Sequence, residues 1–204
     1  MGRHAVRGME GENLVALCDV DWNAAEDAGR SYPKARRYRD YREMLEKQKD
    51  IDAVIIATPD HMHAVIASAA MDLGKHVYVQ KPMCWSVHEA RHLARKATEK
   101  KVVTQMGCQG HSQDDARRGQ EYILEGAIGD VREVHVWTNR PLAFWPQGIP
   151  RPAAVTGDPA ALRWNNTGVT QRLAAAMQGN YPVPDKLSWN LFLGVAPDVA
   201  STRS

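Results

Sequence analysis

The chain has 204 residues, 44% apolar and 25% charged, long enough for one good core or for one domain plus part of another. Its 26 Lys and Arg against 24 Asp and Glu leave a net charge of +2, too small a bias for a nucleic-acid or polybasic membrane partner. No apolar run approaches the roughly 18 residues that span a bilayer, no secretory h-region is present, and three cysteines (Cys18, Cys84, Cys108) do not make a disulfide framework, so a reducing, cytoplasmic setting is the default.

In chain order, Leu14 to Asp19 (LVALCD) is an apolar run ending in an acid and reads as a strand. Residues 21–29 carry Ala24, Ala25 and Ala28 behind an Asp21 cap, with Pro33 stopping the pattern, which predicts a short helix. Asp40 and Glu43 form a capping box for a helix to about Lys49. Residues 52–57 (DAVIIA) predict a strand buried on both faces of a parallel sheet. Ala64 to Leu73 is small and apolar, and Gly74 is a good left-handed stop.

A second strand–helix pair follows at once. His76-Val77-Tyr78-Val79 predicts a buried strand, and Ser86 with Glu89 forms a capping box ahead of Ala90, Leu93, Ala94 and Ala97. Residues 101–106 (KVVTQM) supply a further strand, and Ser112 with Asp115 starts a helix through Leu124 that Gly126 or Gly129 ends. Alternation of strand and helix over residues 13–126 predicts βαβ units and a doubly wound parallel sheet. From residue 130 the character changes. Val131 to Thr138 follows only a loose two-residue period, and Gln171–Met177 is the one helical stretch in a region rich in Pro, Gly, Trp and Asn.

Chemistry-bearing residues cluster just after the predicted strands, where open α/β sheets bind ligands. Asp19 is placed either to accept a hydrogen bond from ribose hydroxyls or to cap the next helix. Thr58-Pro59-Asp60-His61-Met62-His63 follows the most apolar strand; taken alone it is a capped turn. Lys81 falls between a strand and a capped helix. His61, His63, Cys108 and His111 are zinc-ligand types, but their spacing is not a common structural-zinc pattern and no metal is expected. The tryptophans at 137, 145, 164 and 189 suit core anchoring or a sugar-stacking surface.

Several stretches together resemble the Gfo/Idh/MocA oxidoreductases: VALCDVD (15–21), YPKARRYRDYREML (32–45), IDAVIIATPDHMHAVIASAAMDLGKHVYVQKP (51–82), VVTQMGCQGHS (102–112), EGAIGDVREVHVWTNRP (125–141), WPQGI (145–149) and, more weakly, LSWNLFLGVAP (187–197). The resemblance implies a Rossmann-like NAD(P)-binding domain over 1–129 and part of a C-terminal substrate and oligomerisation domain over 130–204. It implies nicotinamide-dependent chemistry on a sugar or polyol, possible homo-oligomers, and no nucleic-acid or membrane partner. Lys81 matches the lysine of the family's E-K-P motif, which lies near the nicotinamide and takes part in proton transfer. Asp19 matches the ribose-binding acid, which favours NAD over NADP. Thr58, Pro59 and His63 match the loop that lies against the cofactor, Gln80 and Lys81 complete the cofactor contacts, and Gln109 and His111 are candidate substrate contacts.

Three departures shape the expectations. Gln80 stands where the motif usually has Glu, which keeps hydrogen bonding but loses a charge. No G-x-G-x-x-G occurs, so a first strand and its phosphate-cradling loop are expected to be missing. The gap is expected to fall between a side holding 14–19 and 52–57 and a side holding 76–79 and 102–106, leaving exposed strand edges and poor folding. No counterpart of the family's downstream catalytic Asp and His is found. The chain thus reads as part of a longer dehydrogenase with impaired activity as it stands, cytoplasmic, or periplasmic if an export signal lies upstream. A non-catalytic binding module that kept the fold is the alternative, and a metal-binding protein a third.

Overall fold

The computed structural model describes Met9, residues 11–137 and residues 183–196. The chain divides into two compact units, residues 1–120 with 183–198 and residues 121–182 with 199–204. The first unit is an α/β fold of five parallel strands. Strand β1 (Ala16–Cys18) leads to α1 (Glu26–Ser31), β2 (Arg36–Tyr38), α2 (Tyr41–Lys47), β3 (Ala53–Ile56), α3 (His63–Asp72), β4 (His76–Gln80), α4 (Val87–Lys100), β5 (Thr104–Gly107) and α5 (Asp114–Leu124). A last short helix, α6 (Trp189–Leu193), packs within this unit.

The strands form two sheets rather than one. β1 pairs with β2, Ala16 opposite Arg36, and β3-β4-β5 form the other, with Ala53 opposite His76 and Gln80 opposite Gly107. The break therefore lies between β1 and β3, which corrects the expectation that β3 shares a side with β1. Its cause is local: α3 covers β3 and β4 together, and Ala67 and Ala70 on α3 are fully buried against that layer. A helix packed on two strands it connects holds them as neighbours.

Between the two sheets lies a cavity of about 1330 Å³, lined by Ala16 and Cys18 of β1 and by Ala53 and Ile55 of β3. That cavity explains a second correction. β3 is not buried on both faces: Val54 and Ile56 are buried, whereas Ala53 is exposed and Ile55 half-buried. The core is accordingly one-sided, with Ile56, Met71, Val77, Val79 and Leu93 at 3% exposure or less. Burying each such side chain contributes about 1.5–3 kcal/mol.

Caps decide where the helices begin. Ser86 and Glu89 make the reciprocal capping box of α4: the Ser86 hydroxyl accepts from the Glu89 N–H at 3.2 Å, and Glu89 Oε2 accepts from the Ser86 N–H at 3.3 Å. Asp40 caps α2, but through the Arg42 N–H at 2.9 Å, while Glu43 pairs with Lys47 further along the helix. Asp21 does not cap α1. Its Oδ1 accepts from Asn23 N–H, the chain turns once more, and the helix starts at Glu26. Gly74, at φ +70°, ends α3 as expected.

Strand β2 is not expected from sequence, because Arg36 and Arg37 are exposed on an edge and only Tyr38 is buried. In the second unit, Gly126 and Gly129 have positive φ beyond α5, and residues 131–137 are exposed and form no ladder. The predicted stretch Gln171–Met177 lies outside the described residues. No helix among the described residues is long and apolar enough to cross a membrane.

Candidate functional site

Parallel strands put their carboxyl ends on one edge, and the loops that leave that edge carry most of the residues singled out by sequence. Asp19 follows β1, Thr58 and Pro59 follow β3, Lys81 follows β4, and Cys108 to His111 follow β5. Asp19, Thr58 and Pro59 line the same cavity. Gln80, Lys81, His63, Gln109 and His111 do not line it.

Asp19 is half-buried, and its Oδ1 accepts the Asp21 N–H at 2.9 Å. Burial, the largest influence on it, raises its carboxyl above the usual 3.8, against the opposing pull of that N–H. The neighbouring Cys18 thiol is pushed up to about 12, first by burial and then by the charges of Asp19, Asp40 and Glu43. Cys18 is thus an inert protonated thiol rather than a nucleophile.

On the other side of the break, β4 and β5 shape the ground under Lys81. The Lys81 N–H donates to the Gly107 carbonyl at 3.1 Å, continuing the β4–β5 ladder. The side chain is exposed and its ammonium makes no ion pair with a described residue. The Lys81–Pro82 peptide bond is cis.

Gln80, at 2% exposure, accepts from Gln109 Nε2 at 3.2 Å. The two residues thus form a neutral pair joining the ends of β4 and β5. Gly107 makes that pair possible: a Cβ there would lie 2.7 Å from Tyr78 Cε1 and 2.9 Å from Gln80 Nε2. Gly107→Ala should therefore destabilise the protein by about 1–3 kcal/mol, the usual cost of overpacking a filled site. Thermal unfolding measures it, and an unchanged midpoint would show that Tyr78 and Gln80 yield freely.

His63 is 1% exposed and is held at both ring nitrogens, Nδ1 on the Pro82 carbonyl at 2.6 Å and Nε2 on the Thr58 carbonyl at 2.8 Å. His61 Nε2 meets the Phe192 carbonyl at 3.2 Å. Among the described residues no three His, Cys, Asp or Glu side chains gather as a metal-binding group.

Sequence reasoning missed how residues 183–196 are tied to this edge. The Ser188 N–H donates to the Val20 carbonyl at 3.0 Å, Leu187 bridges Asp21, and Arg39 Nη1 donates to the Lys186 carbonyl at 2.8 Å and Ser188 Oγ at 3.1 Å. Trp189 stacks on Phe192 with centroids 5.6 Å apart, so it is an anchor in this docking rather than a free sugar platform. Gly194, at φ +53°, lies so close to the Met62 sulfur that no side chain fits. The LSWNLFLG stretch was the available signal.

An oxidoreductase family with an NAD-binding Rossmann fold matches residues 2–108. Levoglucosan dehydrogenase of Pseudarthrobacter phenanthrenivorans is 32% identical over 115 residues, 56% of this chain and 29% of that protein. Inositol 2-dehydrogenase of Salmonella typhimurium is 28% identical over 136 residues, 65% of this chain and 40% of its own length. Among solved structures, myo-inositol 2-dehydrogenase from Lactobacillus plantarum aligns with a TM-score of 0.57 at 28% identity, over 63% of this chain and 38% of that one. The chain spans less than half the length of these relatives.

Proposed function

We propose, from the premise that the chain belongs to the Gfo/Idh/MocA oxidoreductase family with its NAD-binding Rossmann fold, that it serves an NAD(H)-dependent dehydrogenase acting on a secondary alcohol of a sugar or polyol. The observation that carries this reading is the strand-end arrangement: an acid after β1, the Thr58-Pro59 loop after β3 and a lysine after β4. Dehydrogenases of this architecture need an adenosine-ribose acceptor, a loop against the cofactor and a proton acceptor in that spatial order.

The residues fit the two ends of such a cofactor. Asp19 offers a half-buried carboxylate on the cavity wall, steadied by the backbone N–H groups of Asp21 and Val20. Ribose hydroxyls suit that acceptor, and a 2′-phosphate would meet its charge, which favours NAD over NADP. Thr58 and Pro59 supply the adjoining wall. No G-x-G-x-x-G turn occurs, so the residues named here serve the ribose and nicotinamide ends and not the pyrophosphate.

A nicotinamide held at this edge would supply the hydride acceptor for the alcohol carbon. Lys81 Nζ, in its neutral form, takes the hydroxyl proton as the carbonyl forms. Gln80, locked on Gln109, holds the backbone from which Lys81 projects. Gln109 and His111, on the turn after β5, are the neighbouring groups for substrate hydroxyls.

Titration with NADH, followed by protein fluorescence with circular dichroism as the folding control, tests the reading. Saturable binding with Kd on the order of micromolar, about −8 kcal/mol, is expected. A folded protein that ignores NADH would overturn it.

A further inference from the structure

His63 is used by neither the cofactor wall nor the proton transfer, yet it is the most completely enclosed titratable side chain among the described residues. Its two short contacts run to different loops. One goes back to the Thr58 carbonyl at the end of β3, the other across to the Pro82 carbonyl beside Lys81. Both partners are carbonyl oxygens and can only accept. The ring therefore spans the gap between the two loops, one nitrogen on each carbonyl at 2.6 and 2.8 Å.

We infer that His63 is a positioning residue that clamps the Lys81–Pro82 turn to the Thr58–Pro59 loop, its ring spanning the Pro82 and Thr58 carbonyls. It touches no reacting atom. It fixes the spacing between the loop proposed to face the nicotinamide and the lysine proposed to take the proton. The ring sits at the first turn of α3, whose Ala64, Ala67 and Ala70 are packed against the sheet, so it is held from behind and cannot follow a wandering loop. The clamp itself is independent of the function reading; its consequence for turnover rests on that reading of Lys81.

Two measurements on the full chain test it. Amide hydrogen exchange over residues 81–86 should be faster in a folded His63→Asn protein than in the unsubstituted one. Unchanged exchange there would overturn the clamp. In turnover, His63→Asn is too short to reach both carbonyls, and should lower kcat about 10–100-fold, the scale of a 1 Å misplacement, while the KM for NAD stays within about threefold. Unchanged kcat in a folded His63→Asn protein would also overturn it. If Lys81→Met retains full activity, the reading of Lys81 fails while the exchange measurement still decides the clamp.

Discussion

Replacing Lys81 by methionine should lower alcohol oxidation by about 10²–10⁴-fold, the range over which a positioned general base acts. Methionine keeps the unbranched apolar stem and removes the amine, so the change tests proton transfer rather than packing. The structure makes this a clean experiment. Lys81 is exposed, forms no ion pair with a described residue and is fixed through its backbone N–H to Gly107, a bond that any side chain permits. Folding should be untouched, and NADH affinity should move by less than about threefold, as for a solvent-screened surface charge. Lys81→Arg should be as inactive as Lys81→Met, because a guanidinium remains charged in proteins and cannot accept the proton. Activity recovered by arginine would show that the site needs a positive charge there and not a base. Steady-state kinetics beside a binding titration separates the outcomes: a loss confined to KM would make Lys81 a binding residue.

What could be read before the fold was known follows from which signals are local. The α4 capping box is written in four consecutive residues, and the apolar run of β3 stands out in any window, so both lie where the sequence places them. Strand neighbours are a different kind of information. β1 and β3 carry the same apolar character, and nothing in their residues says that β3 pairs with β4 and leaves a cavity on its other side. β2 was invisible for a related reason: Arg36 and Arg37 face solvent, and an edge strand of three residues carries no period. In the site, the strand-end positions of Asp19, Thr58 and Lys81 were legible because a loop after a strand is a sequence-level fact. The enclosure of His63 and the exposure of Lys81 were not, since each depends on what α3 and β5 bring to the strand ends. Gln80 shows both sides: its identity was plain, whereas its neutral partner Gln109 lies 29 residues away and meets it only through the β4–β5 register.

Asp19→Asn should move stability and cofactor affinity in opposite directions, and that opposition identifies a functional acid. Burial raises the Asp19 carboxyl above its ordinary value in the folded protein. A group whose acid form is favoured by folding binds its proton more tightly in the native state than in the unfolded one. Its contribution is therefore best at low pH and is lost as pH rises through the raised folded value, leaving an ionised, partly desolvated carboxylate at neutral pH. Asparagine removes that cost and keeps an oxygen for the Asp21 N–H, so the ligand-free protein should melt higher. The same change removes the charged acceptor for the ribose hydroxyls. Hydrogen bonds to charged groups are worth about 1.5–3 kcal/mol, so NADH affinity should fall about 10–100-fold, with NADPH losing less. In the unsubstituted protein NADH binding should weaken on acidification already above pH 3.8, because Asp19 takes up its proton earlier than a free aspartate does. The Asp19→Asn protein should lack that step. Calorimetric melting and NADH titration across the acid range measure both halves. A variant that melts lower and binds NADH unchanged would make Asp19 a structural turn residue, held by the backbone N–H groups of Asp21 and Val20, and would remove the acid from the cofactor site.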